Sequence, residues 1–249
     1  MLHIFADPSD QEGDLLRIVG TEYNHIRNVL HLKPGEEISV AVGDDGKEYR
    51  YGIEGFEDNA VICRLRFVKE SNVELPVKVY LFQGLPKSDK MDFIVQKAVE
   101  LGVTAVIPVS MDRCVAKLDP ARAGKKVGRW QAIAQSAASQ SRRNIVPEVR
   151  MPMTMKEAVT YAAGNTDVRL IPYELQEDDG STKEYLEGIR GDGRAVSIFI
   201  GPEGGFTPDE IALAESAGIR PISLGRRILR TETAALVILS WLIYILEIG

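Results

Sequence analysis

Two glycine-containing segments have the residue types of a ligand-binding site. Residues 201–206 are Gly-Pro-Glu-Gly-Gly-Phe, and residues 224–230 are Leu-Gly-Arg-Arg-Ile-Leu-Arg. Glycine tolerates positive φ and leaves backbone N–H groups open to a ligand, while Pro202 stiffens the first turn. Arginines at 226, 227 and 230 add positive charge to the second segment. The pair predicts one pocket, although each segment alone also fits an ordinary tight turn before a helix.

Short apolar runs must position these two segments. Residues 195–200 and 221–224 predict buried strands, and a glycine follows each run. If neighbouring strands are parallel, their carboxyl ends lie at the sheet edge where ligands bind in open α/β folds. After the first segment, Thr207 fits a helix N-cap, Pro208 fits the first helical position, and Glu210 completes a capping box.

The sequence contains no Walker A Gly-Lys-Ser or Gly-Lys-Thr, which narrows the choice of ligand. S-adenosylmethionine suits the residues that remain, because backbone amides and carbonyls of glycine loops can hold an adenine between apolar walls. The residues proposed for those walls are Leu170, Ile200, Leu224 and Leu229.

The two segments resemble the signature of the SPOUT superfamily of S-adenosylmethionine-dependent RNA methyltransferases, specifically the RsmE type. The resemblance extends to residues 84–103, 113–114, 141–144 and 25–35. It implies an α/β fold in which an N-terminal PUA-like β-barrel precedes a SPOUT α/β domain with a deep trefoil knot. The implied domains are a PUA-like RNA-binding domain at 1–72 and a methyltransferase domain at 73–249.

The same resemblance implies a function. An RsmE-type enzyme methylates N3 of a specific uridine in small-subunit (16S) ribosomal RNA, with the assembled 30S subunit as substrate. It also implies a homodimer formed through the C-terminal knot region, where residues 233–248 predict an apolar helix. The expected cofactor-binding residues are Leu170, Ile200, Gly201, Pro202, Glu203, Gly204, Gly205, Leu224, Gly225, Arg227, Ile228, Leu229 and Thr233.

Methyl transfer to N3 requires loss of the N3 proton, so the site must stabilise a developing anion or accept the proton. Arg230 and Arg113 are the candidates for a positive field, and Glu232 is the candidate base. Glu203 is a second nearby carboxylate, for which a helix cap or an ion pair is the preferred interpretation. For Glu232 the two interpretations stay open.

The charge distribution favours an RNA partner despite the formal net charge of −6. Residues 1–75 carry 8 basic and 15 acidic residues, whereas residues 113–150 carry nine basic and two acidic ones. A basic segment beside a cofactor pocket is typical of a polyanion substrate, although it also fits a solvated helix face. The RNA-binding candidates are Arg142, Arg143, Lys87 and Lys90.

Composition limits the remaining classes. Only Cys63 and Cys114 are present, which argues against a disulfide framework and fits a reducing, cytoplasmic location. The three histidines and two cysteines lack metal-ligand spacing, so no metal is expected. The first residues do not have the pattern of a signal peptide. The apolar run 234–246 is thirteen residues long, short of the roughly 20 that span a bilayer, so it predicts a buried helix.

The pattern of elements changes along the chain. Up to about residue 70, short apolar runs at 37–42, 49–53 and 60–65 alternate with turns and predict a small β-barrel, with one helix at 22–30 capped by Thr21. Beyond Pro76, strands alternate with helices, including helices at 89–101 and 128–141, which predicts an α/β domain.

Two other functions remain compatible with the residues. A non-enzymatic RNA-binding ribosome-assembly factor would use the basic segment without a cofactor. A phosphate-cofactor enzyme would place its anion at the glycine segments beside the arginines. Binding of S-adenosylmethionine or of ATP distinguishes the three possibilities.

Overall fold

The computed structural model describes residues 1–43, 45–70, 73–116, 118–176, 181–189 and 194–248. The chain divides into two compact units. The first contains Met1–Glu74 and Ala138–Val146, and the second contains Leu75–Ala137 and Pro147–Gly249. No sequence pattern indicated that residues 138–146 pack with the first unit.

The first unit is a curled six-stranded sheet. Its strands are β1 (His3–Ala6), β2 (Gln11–Glu12), β3 (Leu15–Val19), β4 (Glu37–Val42), β5 (Glu48–Glu57) and β6 (Ala60–Lys69). They lie in the order β1-β4-β5-β6-β3-β2, and β1 pairs with β4 in parallel while the other neighbours are antiparallel. Leu16, Ile38, Tyr51 and Ile53 fill the core between its walls. The three predicted strands are confirmed, and β5 and β6 are longer than expected.

The helix of the first unit begins earlier than predicted. Helix α1 (Gly20–Asn24) continues as a π-helix over His25–Val29, and its N-cap is Val19, which makes no side-chain capping bond. The assignment of Thr21 as N-cap is therefore wrong. Gly20 adopts φ +66°, which lets the chain turn directly from β3 into the helix.

The second unit is built on a parallel sheet. Its strands are β7 (Val79–Gly84), β8 (Ala105–Ser110), β9 (Glu148–Val149), β10 (Met153–Thr154), β11 (Val168–Pro172), β12 (Val196–Ile200) and β13 (Arg220–Ile222). The order is β10-β8-β7-β12-β11-β13, with β9 also paired to β8. All five residues of β12 are buried because strands flank it on both sides. The predicted α/β architecture is confirmed.

Helices cover this sheet. They are α2 (Lys90–Glu100), α3 (Pro120–Gln140), α4 (Met155–Asn165), α5 (Ser181–Glu187), α6 (Pro208–Ser216) and α7 (Thr231–Ile243), and a π-helix over Tyr244–Ile248 extends α7. The predicted helix at 89–101 is confirmed as α2, whose apolar stripe is buried and consists of Met91, Ile94, Val95, Ala98 and Val99. Helix α3 begins well before residue 128, since the Asp119 carboxylate accepts the Arg122 backbone N–H at 2.9 Å and so caps an earlier start.

The C-terminal helix is buried on one face only, so the prediction of a buried helix holds in part. Ala235, Ile238, Leu239 and Leu242 are buried, whereas Tyr244 is 62% exposed. The segment Thr231–Ile248 is long and apolar enough to cross a membrane by length and composition, with 28% of it buried. Core helices of soluble proteins meet the same criterion, so this property alone assigns no location.

Candidate active site

A cleft of about 400 Å³ opens at the carboxyl ends of three neighbouring strands of the second unit. Strand β11 lies between β12 and β13, and all three run parallel. The glycine segments after β12 and β13 both line the cleft, as predicted, and the start of α7 closes it. The lining residues are Lys90, Pro172, Tyr173, Glu174, Ile200, Gly201, Pro202, Glu203, Gly204, Gly205, Phe206, Leu224, Gly225, Arg227, Ile228, Leu229, Arg230, Thr231 and Ala234.

Two of the predicted cofactor residues lie elsewhere. Leu170 is fully buried within β11, paired with Ile198 and Arg220, and belongs to the sheet core. Thr233 is exposed on α7, outside the residues that line the cleft. The helical repeat explains this, since Arg230, Thr231 and Ala234 share the face that meets the cleft. The other eleven predicted cofactor residues line it.

Sequence analysis missed the segment that follows β11. Pro172, Tyr173 and Glu174 line the cleft because β11 separates the two strands that carry the glycine segments. These residues could have been predicted. Ligands bind at the carboxyl ends of parallel strands, and the apolar run of β11 followed by polar residues marks such an end.

Two glycines of the first glycine segment lie too close to other side chains to accept a Cβ. At Gly205, φ is +67°, and a Cβ would lie 2.8 Å from Glu174 Oε1. At Gly204, a Cβ would lie 2.8 Å from the Arg113 Cβ. The exposed Arg113 guanidinium also donates a 2.9 Å hydrogen bond to the Gly204 carbonyl. Arg113 therefore supports this segment from outside the cleft, and it is not among the lining residues.

The second glycine segment has a different constraint. Gly225 adopts φ +97°, in the left-handed region, and among the described residues no atom beyond its chain neighbours would lie within 4 Å of a Cβ there. A larger residue would thus meet backbone strain rather than a clash with the protein, and its side chain would add bulk at the cleft wall.

The far end of the first segment is fixed by the predicted capping box. The Thr207 hydroxyl accepts the backbone N–H of Glu210 at 3.2 Å, and the Glu210 carboxylate accepts that of Thr207 at 2.9 Å. Glu210 also accepts the backbone N–H of Asp112 at 2.9 Å. These bonds satisfy N–H groups at the start of α6 and hold the segment in place.

A hydrogen-bond chain fixes the near end. The Thr231 hydroxyl donates to the Gly201 carbonyl at 2.7 Å, and the fully buried Gln83 amide donates to that hydroxyl at 2.8 Å. The ends of β7 and β12 are thereby tied to the first residue of α7. Sequence analysis did not single out Gln83 or Thr231.

Lys90 lies in the cleft between two carboxylates. Its ammonium is 3.2 Å from Glu203 Oε1 and 3.1 Å from Glu232 Oε2. Glu203 also accepts the backbone N–H of Lys87 at 3.1 Å. The ion-pair interpretation of Glu203 is supported, with a lysine as its partner. Lys90 was predicted to contact RNA, but its charge is already engaged here.

Both carboxylates are set to stay ionised. Burial would raise the pKa of Glu203, but backbone N–H groups and the Lys90 ammonium outweigh it and lower the pKa below its usual range. The pKa of Glu232 is lowered in the same way, with Arg230 contributing. Hydrogen bonding to Glu232 raises the pKa of Lys90. Both are therefore deprotonated at neutral pH, and their pairing with Lys90 makes them weaker bases than free carboxylates.

Arg230 occupies the rim of the cleft. It is exposed, and it precedes α7 with an extended backbone, without a side-chain capping bond. The guanidinium is therefore not committed to the helix cap. The positive end of the α7 dipole lies at the same place.

Comparison with known proteins identifies the family. A family model described as RNA methyltransferase domain matches residues 73–243, and one described as RNA methyltransferase PUA domain matches residues 18–66. Ribosomal RNA small subunit methyltransferase E of Bacillus subtilis (strain 168) is 37% identical over 241 residues, which cover 96% of this chain and 93% of that protein. The chain belongs to this family.

Solved structures of similar proteins agree with membership in the methyltransferase E family. The Neisseria gonorrhoeae enzyme of that name, bound to S-adenosylmethionine, has a TM-score of 0.84 and 31% identity, covering 98% of this chain and 97% of its own. A Legionella pneumophila protein in complex with S-adenosylmethionine has a TM-score of 0.84 and 34% identity, covering 97% and 96%. The predicted PUA-like domain and RsmE-type resemblance are confirmed.

The RNA-binding candidates of this family member have contrasting environments. Arg143 is 4% exposed and forms an ion pair with Glu74 at 2.5 Å, so it is a structural residue of the first unit and not a phosphate contact. Arg142 is exposed, and so is Lys87, whose backbone N–H contacts Glu203. Lys117, within the basic segment, lies outside the described residues.

Arg142 has an unfavourable backbone conformation. It follows α3 at the C′ position of a Schellman motif, in which the Arg143 N–H bonds the Ala138 carbonyl and the Arg142 N–H bonds the Ser139 carbonyl. Its φ is +59°, where glycine is preferred. Arginine therefore occupies a position where glycine would be less strained.

Helix α3 places basic residues on one face. Arg122, Lys125, Lys126 and Arg129 follow the i, i+3, i+4, i+7 spacing of a helical stripe. Arg122 is paired with Asp119, and both side chains are exposed, whereas the exposed Arg129 is paired with the half-buried Asp92. An exposed pair such as Arg122–Asp119 is weak, so Arg122 can exchange its carboxylate for a phosphate.

Proposed function

We propose that this protein transfers a methyl group from S-adenosylmethionine to N3 of a specific uridine in small-subunit ribosomal RNA. The observation that carries the proposal is the cleft formed by both glycine segments at three parallel strand ends, in a chain of the methyltransferase E family. The cleft also contains Glu174 and Glu203. Lys90, Arg227 and Arg230 also line it, so charge does not separate the two cofactors, and S-adenosylmethionine is favoured over the phosphate cofactor because two similar solved structures bind it.

The residues of the cleft fit this cofactor. Its volume of about 400 Å³ lies in the range of roughly 300–1,000 Å³ typical of ligand sites. Backbone groups of Gly201–Gly205 and of the segment after β13 would hold polar groups, and Ile200, Leu224 and Leu229 would provide apolar walls. When bound, S-adenosylmethionine supplies a methyl group on a positively charged sulfur.

Residues at the rim would handle the charge that develops on the uracil. Arg230 and the N-terminus of α7 place positive charge beside the cleft, which stabilises an anion at N3 as its proton leaves. Glu203 and Glu232 are held ionised and paired by Lys90, so we assign neither as the base. The proton passes instead to solvent. N3 lies on the Watson–Crick edge, so the target base must be unpaired or extruded.

The RNA partner is supported by separate features of each unit. In the second unit the basic face of α3 suits phosphates, and in the first unit Arg142 is exposed and strained. We further propose that the substrate is the assembled 30S subunit, and that a PUA-like RNA-binding domain at 1–72 precedes a methyltransferase domain at 73–249 in which α3 and Arg142 also contact RNA. We propose that the methyltransferase domain contains a deep trefoil knot. A ribosomal substrate and two buried free cysteines fit the cytoplasm.

The decisive test is the identity of the product. The purified protein is incubated with labelled S-adenosylmethionine and small subunits that lack the modification, and the labelled nucleoside is identified by mass spectrometry. We expect 3-methyluridine. Label on a ribose oxygen or on guanine would contradict the N3 assignment while retaining the methyltransferase class. Absence of both label and cofactor binding would favour a ribosome-assembly factor.

The pH dependence provides a second test of the chemistry. The rate should rise from neutral to alkaline pH, because the N3 proton must leave. The lowered pKa values of Glu203 and Glu232 keep both carboxylates ionised throughout this range, so their titration cannot produce the rise. A rate that is flat between pH 7 and 9, measured in single-turnover reactions, would show that proton loss does not limit methyl transfer.

Replacing Arg142 by glycine should stabilise the protein and weaken RNA binding at the same time. Glycine removes the left-handed strain at φ +59°, a gain of about 0.5–1 kcal/mol in the free energy of unfolding. Loss of one phosphate contact should lower the salt slope of RNA binding by about 1. Arg142→Lys, which keeps charge and strain, is the matched control. A stabilised variant with an unchanged salt slope would make Arg142 a solvated residue.

The apolar outer face of α7 supports a homodimer. Leu236, Val237 and Trp241 are half-buried, and Tyr244 is 62% exposed on the extension of this helix. Such a surface is typical of a protein interface. Tyr244→Asp should therefore shift the protein from dimer to monomer in sedimentation experiments, while its thermal stability as a monomer changes little because the side chain is exposed. A monomeric unaltered protein would contradict the proposed dimer.

A further inference from the structure

The first turn of α7 is tied to the first glycine segment at two places. Thr231 donates to the carbonyl of Gly201 at 2.7 Å. The next residue, Glu232, shares the Lys90 ammonium with Glu203, at 3.1 and 3.2 Å. The first tie is a direct hydrogen bond, whereas the second depends entirely on a side chain from a third element, α2.

The environment of Lys90 makes this second tie more than a surface ion pair. The Lys90 side chain is 30% exposed, and those of Glu203 and Glu232 are 27% and 18% exposed. Glu203 is also held by the Lys87 N–H, in a turn where Ser88 adopts φ +56°. Partly buried charges with several partners hold their geometry better than exposed pairs, which contribute little.

We propose that Lys90 is a positioning residue that holds the glycine segment, through Glu203, against the first turn of α7, through Glu232, and so sets the width of the S-adenosylmethionine cleft. This inference rests on the proposed function. Without the ammonium, two ionised carboxylates that shared it would face each other. Their repulsion would separate the walls of the cleft. Lys90 of α2, Glu203 of the first glycine segment and Thr231 of α7 all line that cleft.

This role differs from an RNA contact in what it predicts. A phosphate-binding lysine changes RNA affinity and its salt dependence and leaves the cofactor untouched. A lysine that holds two protein carboxylates changes cofactor affinity and leaves the salt dependence untouched. The two measurements therefore separate the roles in one variant.

The test compares Lys90→Met with Lys97→Met. Lys97 lies on the same helix, is 34% exposed and pairs with Glu100, but it does not line the cleft. Calorimetry should show that Lys90→Met weakens S-adenosylmethionine binding by about tenfold, with an unchanged salt slope for RNA. Lys90→Arg should restore most of the affinity, and Lys97→Met should match the unaltered protein.

A double-mutant cycle covers the case in which Lys90→Met folds poorly, as judged by thermal unfolding. Glu232→Gln keeps the size of the side chain and removes one partner, so it should weaken cofactor binding in the unaltered protein and by a similar factor in the Lys90→Arg background, where an arginine takes over the bridge. Equal cofactor affinity in the unaltered protein, Lys90→Met and Glu232→Gln would overturn the positioning role. The same conclusion would follow if Lys90→Met lowered the salt slope of RNA binding by about 1 and left cofactor affinity unchanged. Failure of the unaltered protein to bind S-adenosylmethionine would overturn the proposed function itself.

Discussion

Replacing Arg230 by alanine should lower the rate of methyl transfer by about 10²–10³-fold, the usual cost of removing one group that stabilises a developing anion. The guanidinium lies at the rim of the cleft and makes no capping bond to α7, so its loss should not disturb the helix. Since the charge acts mainly on the transition state, RNA affinity should fall much less than turnover. Single-turnover rates at saturating RNA and cofactor measure the effect directly.

Arg226→Ala is the matched control for this prediction. Arg226 is an exposed arginine of the same segment that does not line the cleft. It should affect RNA affinity at most, with the rate at saturation unchanged. The rate of Arg230→Ala should also reach its plateau at a higher pH, because the anion at N3 is less stabilised. If Arg230→Ala and Arg226→Ala raise KM for RNA equally and leave the saturated rate intact, Arg230 is a phosphate contact.

Replacing Gly225 by valine should reduce S-adenosylmethionine affinity by about 100-fold or more, equivalent to about 2.7 kcal/mol. Gly225 has φ +97°, and no described residue beyond its chain neighbours lies within 4 Å of a Cβ there, so the variant strains the backbone and adds bulk to the cleft wall without a clash with that part of the chain. A β-branched residue is especially unfavourable in this region of φ. Isothermal titration with S-adenosylmethionine is the measurement.

Gly35→Val separates the two effects of this substitution. Gly35 has φ +93° and likewise no atom of the described residues within 4 Å of a Cβ, but it belongs to the first unit. Both valine variants should lose similar thermal stability, and only Gly225→Val should lose cofactor binding. Equal cofactor affinity in the two folded variants would remove the second glycine segment from the cofactor site.

Some features of the site follow from the sequence because they depend on neighbours along the chain. The capping box of Thr207 and Glu210, the buried strand before Gly201 and the apolar stripe of α2 are local patterns, and the structure has all three. The two glycine segments could also be recognised as a ligand site, because the conformational freedom of glycine is a property of the residue itself. Eleven of the thirteen predicted cofactor residues therefore line the cleft.

The other features of the site were decided by the tertiary structure, because they depend on contacts between residues far apart in the chain. Placement of β11 between β12 and β13 brought Tyr173 and Glu174 into the cleft, and strand order is not a local property. The Lys87 N–H contacts Glu203 across 116 residues. Arg143 and Arg142 are adjacent in sequence, yet one is buried against Glu74 and the other is exposed. The sequence determined which groups are available for chemistry, and packing determined which carboxylate each lysine or arginine meets.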